Sequence, residues 1–374
     1  MLAHYARPVA CRTIPREVDE LTGAWLTTVL DRHVPGVEVV SAQVVDAHSG
    51  TTGRVKLRLV YAGDQAELPE TVFCKLAPFD ARQREFLRRI SIGTMEARFY
   101  ATIAAGLEDV VRVPRVWHAA SDEEGGFVMV LEDLDASGCR FPRPSDPDVA
   151  DRAASTVEEL GHLHSRFWTS DRFGDDLAWV PRRAGFGAGD GSEAHAAEAA
   201  GRFVALALER FGDGQGPAFR AIGAVYVERT ADILDVFDDG EPTLVHGDPH
   251  SGNLFTDGER TGFFDWAMFS RSPGMRDVAY YCCNSIPTDV RRGIQGPLLD
   301  LYRRTLAQRG IDLTAELAEY QLRLFAVFSW VSAASTAAVG SRWQPEERAL
   351  AAMERTTTAV DDLDSVGLLR ELLR

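Results

Sequence analysis

Apolar positions change their period along the chain, and each change marks a boundary. Val18, Leu21, Trp25, Leu26 and Val29 recur at helical spacing, with Pro15 in the first turn and Pro35-Gly36 beyond the last. This spacing predicts an amphipathic helix over 15–32. The period then falls to two. Val37, Val39 and Val44-Val45 predict a strand, and Val55, Leu57, Leu59 and Tyr61 alternate with Arg54, Lys56 and Arg58 in a second, half-exposed one. Turn-forming residues, His48-Ser49-Gly50-Thr51-Thr52-Gly53, link the two. Further strands are predicted over Thr71 to Leu76, 115–120 and 127–132, with helix over 80–105 broken near Ser91-Ile92-Gly93. The first third therefore reads as a five-stranded antiparallel sheet with helix inserted after the third strand.

From Asp133 the pattern turns helical. Asp146-Pro147 opens a helix reaching about Trp168, a Gly- and Arg-rich loop covers 175–192, and helices follow over 192–212 and 216–236. One β island interrupts them at Thr243 to Val245, Asn253 to Thr256 and Thr261 to Trp266, with Asp257-Gly258 as its turn. Helices then run to the end. The class is α+β: a small β-rich lobe over 1–133, then a larger, mostly helical lobe over 134–374.

Composition excludes several functions. The net charge is −16, which opposes binding to DNA, RNA or an anionic membrane through a cationic face. Residues 1–133 contribute −4 and the rest −12, which reads as solubility or as attraction for a cationic substrate. The five cysteines, Cys11, Cys74, Cys139, Cys282 and Cys283, form no C-x-x-C pair. Reduced thiols in a cytoplasmic protein are expected. The charge-free run from Leu324 to Ser341 holds four serines and a threonine, so a buried helix is expected there and no membrane span. Only two of the forty cations are lysines, Lys56 and Lys75.

The densest chemistry is His246-Gly247-Asp248-Pro249-His250-Ser251-Gly252-Asn253, which follows an apolar strand. Asp265, within Phe263-Phe264-Asp265-Trp266, lies 12 residues beyond Asn253 at the far end of the predicted hairpin, and hairpin geometry brings Asn253 and Asp265 together. A carboxylate plus an amide carbonyl is a hard-oxygen pair suited to Mg²⁺. Asp248 precedes Asn253 by four intervening residues, the spacing of a kinase catalytic loop.

On these residues the chain resembles the aminoglycoside phosphotransferase and choline kinase superfamily, and within it the ecdysteroid-kinase-like branch. The resemblance also rests on Pro273-Gly274-Met275-Arg276-Asp277-Val278-Ala279-Tyr280, Lys75, Glu96-Ala-Arg-Phe-Tyr100, Val130-Leu-Glu-Asp-Leu134 and Leu163-His164-Ser-Arg-Phe-Trp168. It implies a bilobal, protein-kinase-like fold that transfers the γ-phosphoryl of ATP (or GTP) to a small-molecule hydroxyl. Asp248 would then be the catalytic base, and Asn253 and Asp265 would hold Mg²⁺. Lys75 would contact the phosphates, with Glu96 as its ion-pair partner. Leu131, Glu132 and Leu134 would form the hinge against the nucleobase. Ser49, Gly50 and Thr51 fall where a phosphate-covering loop is expected, although the stretch is not G-x-G-x-x-G. Pro249 also departs from the family, which more often has an aliphatic residue there. Asp277 would brace the catalytic loop or cap the next helix.

Only six residues separate Asp265 from Ser272-Pro273-Gly274, and no Ala-Pro-Glu follows. The long activation segment of a protein kinase is missing, which favours a small-molecule acceptor over a protein. A catalytically silent nucleotide-binding regulator on the same fold is the alternative. A zinc hydrolase built on His246 and His250 is disfavoured, because Gly247 and Pro249 prevent the helix that would align them. Lys56, between Arg54 and Arg58, is expected to be solvated. His164 and Cys282-Cys283 are expected to be core residues. The acceptor pocket is expected within 190–235 and 310–360, where no motif names what fits.

Overall fold

The computed structural model describes residues 14–63, 67–183, 193–340 and 345–374. Cys11, the 184–192 part of the loop predicted over 175–192, and parts of the two acceptor-pocket ranges lie outside the described residues. The chain divides into two compact units. The first comprises residues 1–88, 93–105 and 115–137; the second comprises 89–92, 106–114 and 138–374.

The first unit starts with a single 3₁₀ turn, Val18–Glu20, followed by helix α1 (Gly23–Leu30). The helix predicted over 15–32 is thus shorter at its start. Thr22 is the reason: it is extended, and its hydroxyl accepts from Trp25 N, which makes it the N-cap of α1. Strands β1 (Val39–Ser49), β2 (Gly53–Tyr61) and β3 (Thr71–Leu76) follow. Helices α2 (Ala81–Ile90) and α3 (Ile92–Thr102) come next, then β4 (Val116–Ser121) and β5 (Phe127–Glu132). Ser91, at φ 54°, breaks the helical run where the sequence placed the break. The sheet order is β1-β2-β3-β5-β4, antiparallel throughout, as predicted. Its apolar face packs Val55, Leu57, Val72, Cys74, Leu76, Val128 and Val130 against Leu26, Val29 and Leu30 of α1.

The second unit holds α4 (Val149–Phe167), α5 (Glu193–Phe211), α6 (Pro217–Glu228) and α7 (Thr230–Phe237). The single helix predicted over 216–236 is therefore two. Arg229 leaves the helical region (φ −127°, ψ 33°), and the Thr230 hydroxyl donates back to the Tyr226 carbonyl. Next come β6 (Thr243–Val245), β7 (Leu254–Asp257), β8 (Arg260–Phe263) and β9 (Ser270–Ser272). The helices α8 (Met275–Ser285), α9 (Thr288–Ala307), α10 (Ala315–Val339), α11 (Glu346–Asp362) and α12 (Ser365–Leu372) complete it. β7 and β8 form the expected hairpin. β6 pairs instead with β9, a three-residue strand too short to show in the pattern. The apolar helix α10 is long enough to cross a membrane, yet its Phe325, Val327, Trp330 and Ala334 are buried within this unit. Cys74, Cys282 and Cys283 are free thiols, and these three and Cys139 are buried.

Candidate active site

In the first unit the central strand carries Lys75, whose ammonium donates to both carboxylate oxygens of Glu96 at 2.7 and 2.6 Å. Both side chains are buried. Gly93 makes the approach possible: a Cβ there would lie 2.1 Å from the Phe127 ring, so only glycine lets α3 sit this close to β5. Glu96 follows one turn later. A buried pair costs desolvation and adds little net stability even when well aligned, so its place in the middle of a sheet points to use of the cation.

The turn between β1 and β2 contains Ser49, Gly50 and Thr51. The Ser49 hydroxyl accepts from Phe79 N at 3.1 Å, and Gly50 N donates to the Thr52 carbonyl at 3.0 Å. Gly53 closes the turn against the Phe79 ring, where a Cβ would meet a ring carbon at 2.6 Å. At the end of β5, Leu131 and Leu134 are buried. The Glu132 N–H is already donated to the Arg115 carbonyl, and its carboxylate accepts from Arg115 N. Lys56 is not simply solvated: its ammonium lies 2.8 Å from the buried Asp133 carboxylate and 3.5 Å from Asp135. Asp133 also accepts from the Thr71 hydroxyl at 2.7 Å. Strand pairing sets Lys56 opposite Phe73, two residues from Thr71, which leads its side chain to the end of β5. The alternation that suggested solvent could not show this partner.

In the second unit, β6 runs straight into the loop His246–Asn253. Gly247 turns the chain at φ 85°, and a Cβ there would lie 2.0 Å from the Met268 carbonyl oxygen, so only glycine fits. Asp277 of α8 holds the turn from behind. Its two carboxylate oxygens accept from His246 N at 2.6 Å and Gly247 N at 2.9 Å. His164 Nε2 lies 3.3 Å from the same carboxylate, and His164 Nδ1 lies 2.8 Å from the Tyr302 hydroxyl. Burial pushes the Asp277 carboxyl up, but the His164 hydrogen bond, the two imidazoles packed beside it and the Gly247 N–H together hold it below the ordinary value.

His246 is buried between the loop and Trp266, with ring centroids 4.5 Å apart. Its Nδ1 accepts from Asp248 N, so Nε2 carries the proton that goes to the Phe264 carbonyl at 3.0 Å. Burial lowers its pKa despite the carboxylates of Asp277 and Asp248, so the ring is neutral. This environment suits a structural imidazole and offers no second lone pair to a zinc ion.

Asp248 is partly exposed and firmly held. Oδ2 accepts from Asn253 Nδ2 at 3.1 Å, Oδ1 accepts from the Tyr280 hydroxyl at 2.5 Å, and His250 Nε2 stands 3.6 Å from Oδ2. Asn253 Nδ2 also donates to the Asp248 carbonyl at 3.0 Å. The hairpin register pairs Leu254 with Phe263, and Phe264 N donates to the Asn253 carbonyl at 3.1 Å. Asn253 and Asp265 therefore flank the same end of one hairpin. Asp265 lies in the left-handed region at φ 62°, ψ 61°. That conformation costs about 1 kcal/mol for a residue with a Cβ. It places the carboxylate at a chosen angle just beyond β8.

This donor set fits a hard divalent cation. With its amide nitrogen committed to Asp248, Asn253 has its oxygen left for a metal, and Asp265 adds a carboxylate. Among the described residues no three His, Cys, Asp or Glu side chains cluster as a closed metal cage. Two protein oxygens with other positions left to phosphates and water is the usual way Mg²⁺ binds beside a nucleotide.

The loop, hairpin and α8 thus bring Asp248, Asn253 and Asp265 to one place, while Lys75 and Glu96 meet in the first unit. Two site neighbours escaped sequence reasoning: Tyr280 and Ser332, whose oxygens are 3.0 Å apart. Tyr280 was legible in principle. It follows Asp277 by three residues, so both lie on one face of α8. Ser332 comes from the middle of α10 and carries no sequence signal.

Comparison with known proteins agrees with this architecture. The chain covers 97% of a Ralstonia eutropha protein assigned as an aminoglycoside phosphotransferase, over 91% of its own length, with 17% identity and a TM-score of 0.52. It is similar in the same way to choline kinase from Cryptosporidium parvum: 97% of that chain and 92% of this one, 10% identity, TM-score 0.53. At these identities the likeness is one of fold. No match was found among curated proteins. Residues 66–320 match the family described as the phosphotransferase enzyme family. That span runs from before Lys75 to beyond the catalytic loop and takes in more than half of the chain, so the protein belongs to the phosphotransferase enzyme family.

Proposed function

We propose that the protein is a nucleotide-dependent small-molecule kinase, moving the γ-phosphoryl of ATP (or GTP) to a hydroxyl of a small molecule. The observation that carries this reading is the Asp248 carboxylate, partly exposed and fixed by donors on both oxygens, next to the Asn253–Asp265 oxygen pair. Phosphoryl transfer needs positioning and charge stabilisation more than covalent chemistry. Asp248 orients the acceptor hydroxyl and takes its proton as the acceptor oxygen bonds to the γ-phosphorus and the bond to the leaving nucleoside diphosphate breaks. Lys75 holds the α/β-phosphates, steadied by Glu96. Ser49, Gly50 and Thr51 lie along the phosphates, and Leu131, Glu132 and Leu134 along the nucleobase. Asn253 and Asp265 would hold Mg²⁺, which when bound offsets the polyphosphate charge. Residues 1–133 act as the nucleotide-binding lobe and 134–374 as the catalytic and acceptor lobe. The short run from Asp265 to β9 supports a small acceptor over a protein.

The test is ADP release across a chemically diverse panel of alcohols, with the phosphorylated product confirmed by mass. Asp248→Asn and Asp265→Ala should each abolish product while the protein stays folded. Turnover that survives both substitutions refutes the assignment. Thermal stabilisation by Mg-ATP with no phosphoryl transfer to any acceptor would favour a silent regulator instead.

A further inference from the structure

Every carboxylate oxygen offers two lone-pair directions, so Asp248 has four in all. Two are filled by donors of different kinds. The Tyr280 hydroxyl from α8 takes one on Oδ1, and Asn253 Nδ2 takes one on Oδ2. Any partial rotation about the Cβ–Cγ bond would pull both oxygens away from donors held on separate elements, so the plane of the carboxylate is fixed. The lone pairs left over point in set directions.

A tyrosine hydroxyl has a single proton. Here that proton is donated to Asp248, so the 3.0 Å contact with Ser332 must run the other way: Ser332 Oγ–H donates to the Tyr280 oxygen. The result is a directional chain, Ser332 to Tyr280 to Asp248, linking α10 through α8 to the loop. Polarisation along such a chain strengthens its last bond. The ring of Tyr280 is buried, with Phe328 of α10 at a centroid distance of 5.8 Å, and Arg276 lies over the Phe328 ring at 4.0 Å. Burial, then the Asp248 charge, push the Tyr280 phenol well above its ordinary range, so it acts as a fixed donor and never as a base.

We propose that Tyr280 is a positioning residue for phosphoryl transfer, aiming the Asp248 carboxylate at the acceptor hydroxyl, with Ser332 as its support. The proposal rests on Asp248 being the catalytic carboxylate. Precision at this atom matters because misplacing a reacting group by about 1 Å can cost about a hundredfold in rate. Tyr280 acts through the Asp248 carboxylate, so its loss should fall on kcat.

The experiment has a spectroscopic arm and a kinetic arm. In tyrosine-labelled protein, a phenolic proton donated to a carboxylate gives a downfield, slowly exchanging resonance. It should be present in the wild type and absent from both Tyr280→Phe and Asp248→Asn. This arm needs no acceptor. In the kinetic arm ADP release is read with an alcohol active in the panel. Tyr280→Phe should lower kcat by about tenfold or more, the size expected for one lost hydrogen bond to a charged group, with the KM for ATP within about twofold. Ser332→Ala should lower kcat by about two- to threefold in the same pattern.

Absence of the phenolic proton overturns the proposal whatever the activity. So does an unchanged kcat in Tyr280→Phe. Activity that persists in Asp248→Asn itself signals a different failure, that of the kinase assignment.

Discussion

Asp277 holds the His246–Asn253 loop from behind, and replacing it by asparagine tests how far the loop depends on it. Its carboxylate is fully buried and meets three donors: His246 N, Gly247 N and His164 Nε2. Asparagine keeps the shape but has one acceptor oxygen. If that oxygen stays with His246 and His164, the amide nitrogen faces the Gly247 N–H, so a buried backbone donor is orphaned against another donor. An unsatisfied buried donor costs about 1–3 kcal/mol, and two charge-assisted bonds become neutral ones. The expected loss is about 3–4 kcal/mol, a large part of the roughly 5–15 kcal/mol typical of a folded domain. Urea unfolding followed by tryptophan fluorescence measures it, since Trp266 packs against His246 in this loop. The pH dependence has a definite sign. Asp277 has its pKa depressed in the folded protein, so its stabilising contribution is fully present above the unfolded value of about 4 and is lost as pH falls through the folded value. The gap between wild type and Asp277→Asn should be constant from neutral pH down to about pH 5 and should narrow in stronger acid. A gap below about 1 kcal/mol at pH 7, or one that widens in acid, would show that the network does not carry the loop.

Lys75→Met removes the cation facing the buried Glu96 carboxylate and should destabilise the protein by about 3–5 kcal/mol. The double change Lys75→Met with Glu96→Leu should recover most of that stability while Mg-ATP still fails to raise the melting temperature. A normal nucleotide-induced shift in the double variant would remove Lys75 from the binding site. His118 of β4 is buried, and burial, then the charges of Arg32 and His33, lower its pKa to about 4. It folds neutral, so its effect is absent above about pH 6.5 and destabilises progressively from there down to about pH 4, by up to about 3 kcal/mol. His118→Gln should flatten the acid side of the stability curve over that window, and an unchanged curve would contradict the assigned shift.

Much of the fold was legible because its signals are local. The alternation of Val55, Leu57 and Leu59, and the break at Ser91, depend on neighbours in sequence, and the sheet and helices appear where they predict. The 3₁₀ start before α1 and the split at Arg229 were missed for a related reason: a single capping hydroxyl, Thr22 or Thr230, outweighs apolar periodicity that runs through it. At the site, Asp248, Asn253 and Asp265 could be read from spacing because a hairpin fixes their distance. Lys56 could not, because its partner Asp133 lies 77 residues away and on a different strand end. Ser332 was invisible in the same way: one serine among three in an apolar helix becomes distinctive only when Tyr280 is set beside it.

The knot of His164, Asp277 and Tyr302 has a consequence for how the chain is made. These residues are separated by 113 positions between His164 and Asp277 and by 138 between His164 and Tyr302. A nascent chain emerging N-terminus first has its loop sequence, Asp248 included, well before α9 supplies Tyr302 or α10 supplies Ser332. Until those helices leave the ribosome, the loop is present without its supports. The support of this loop is thus completed late and as a whole, when the C-terminal helices pack against residues synthesised long before them.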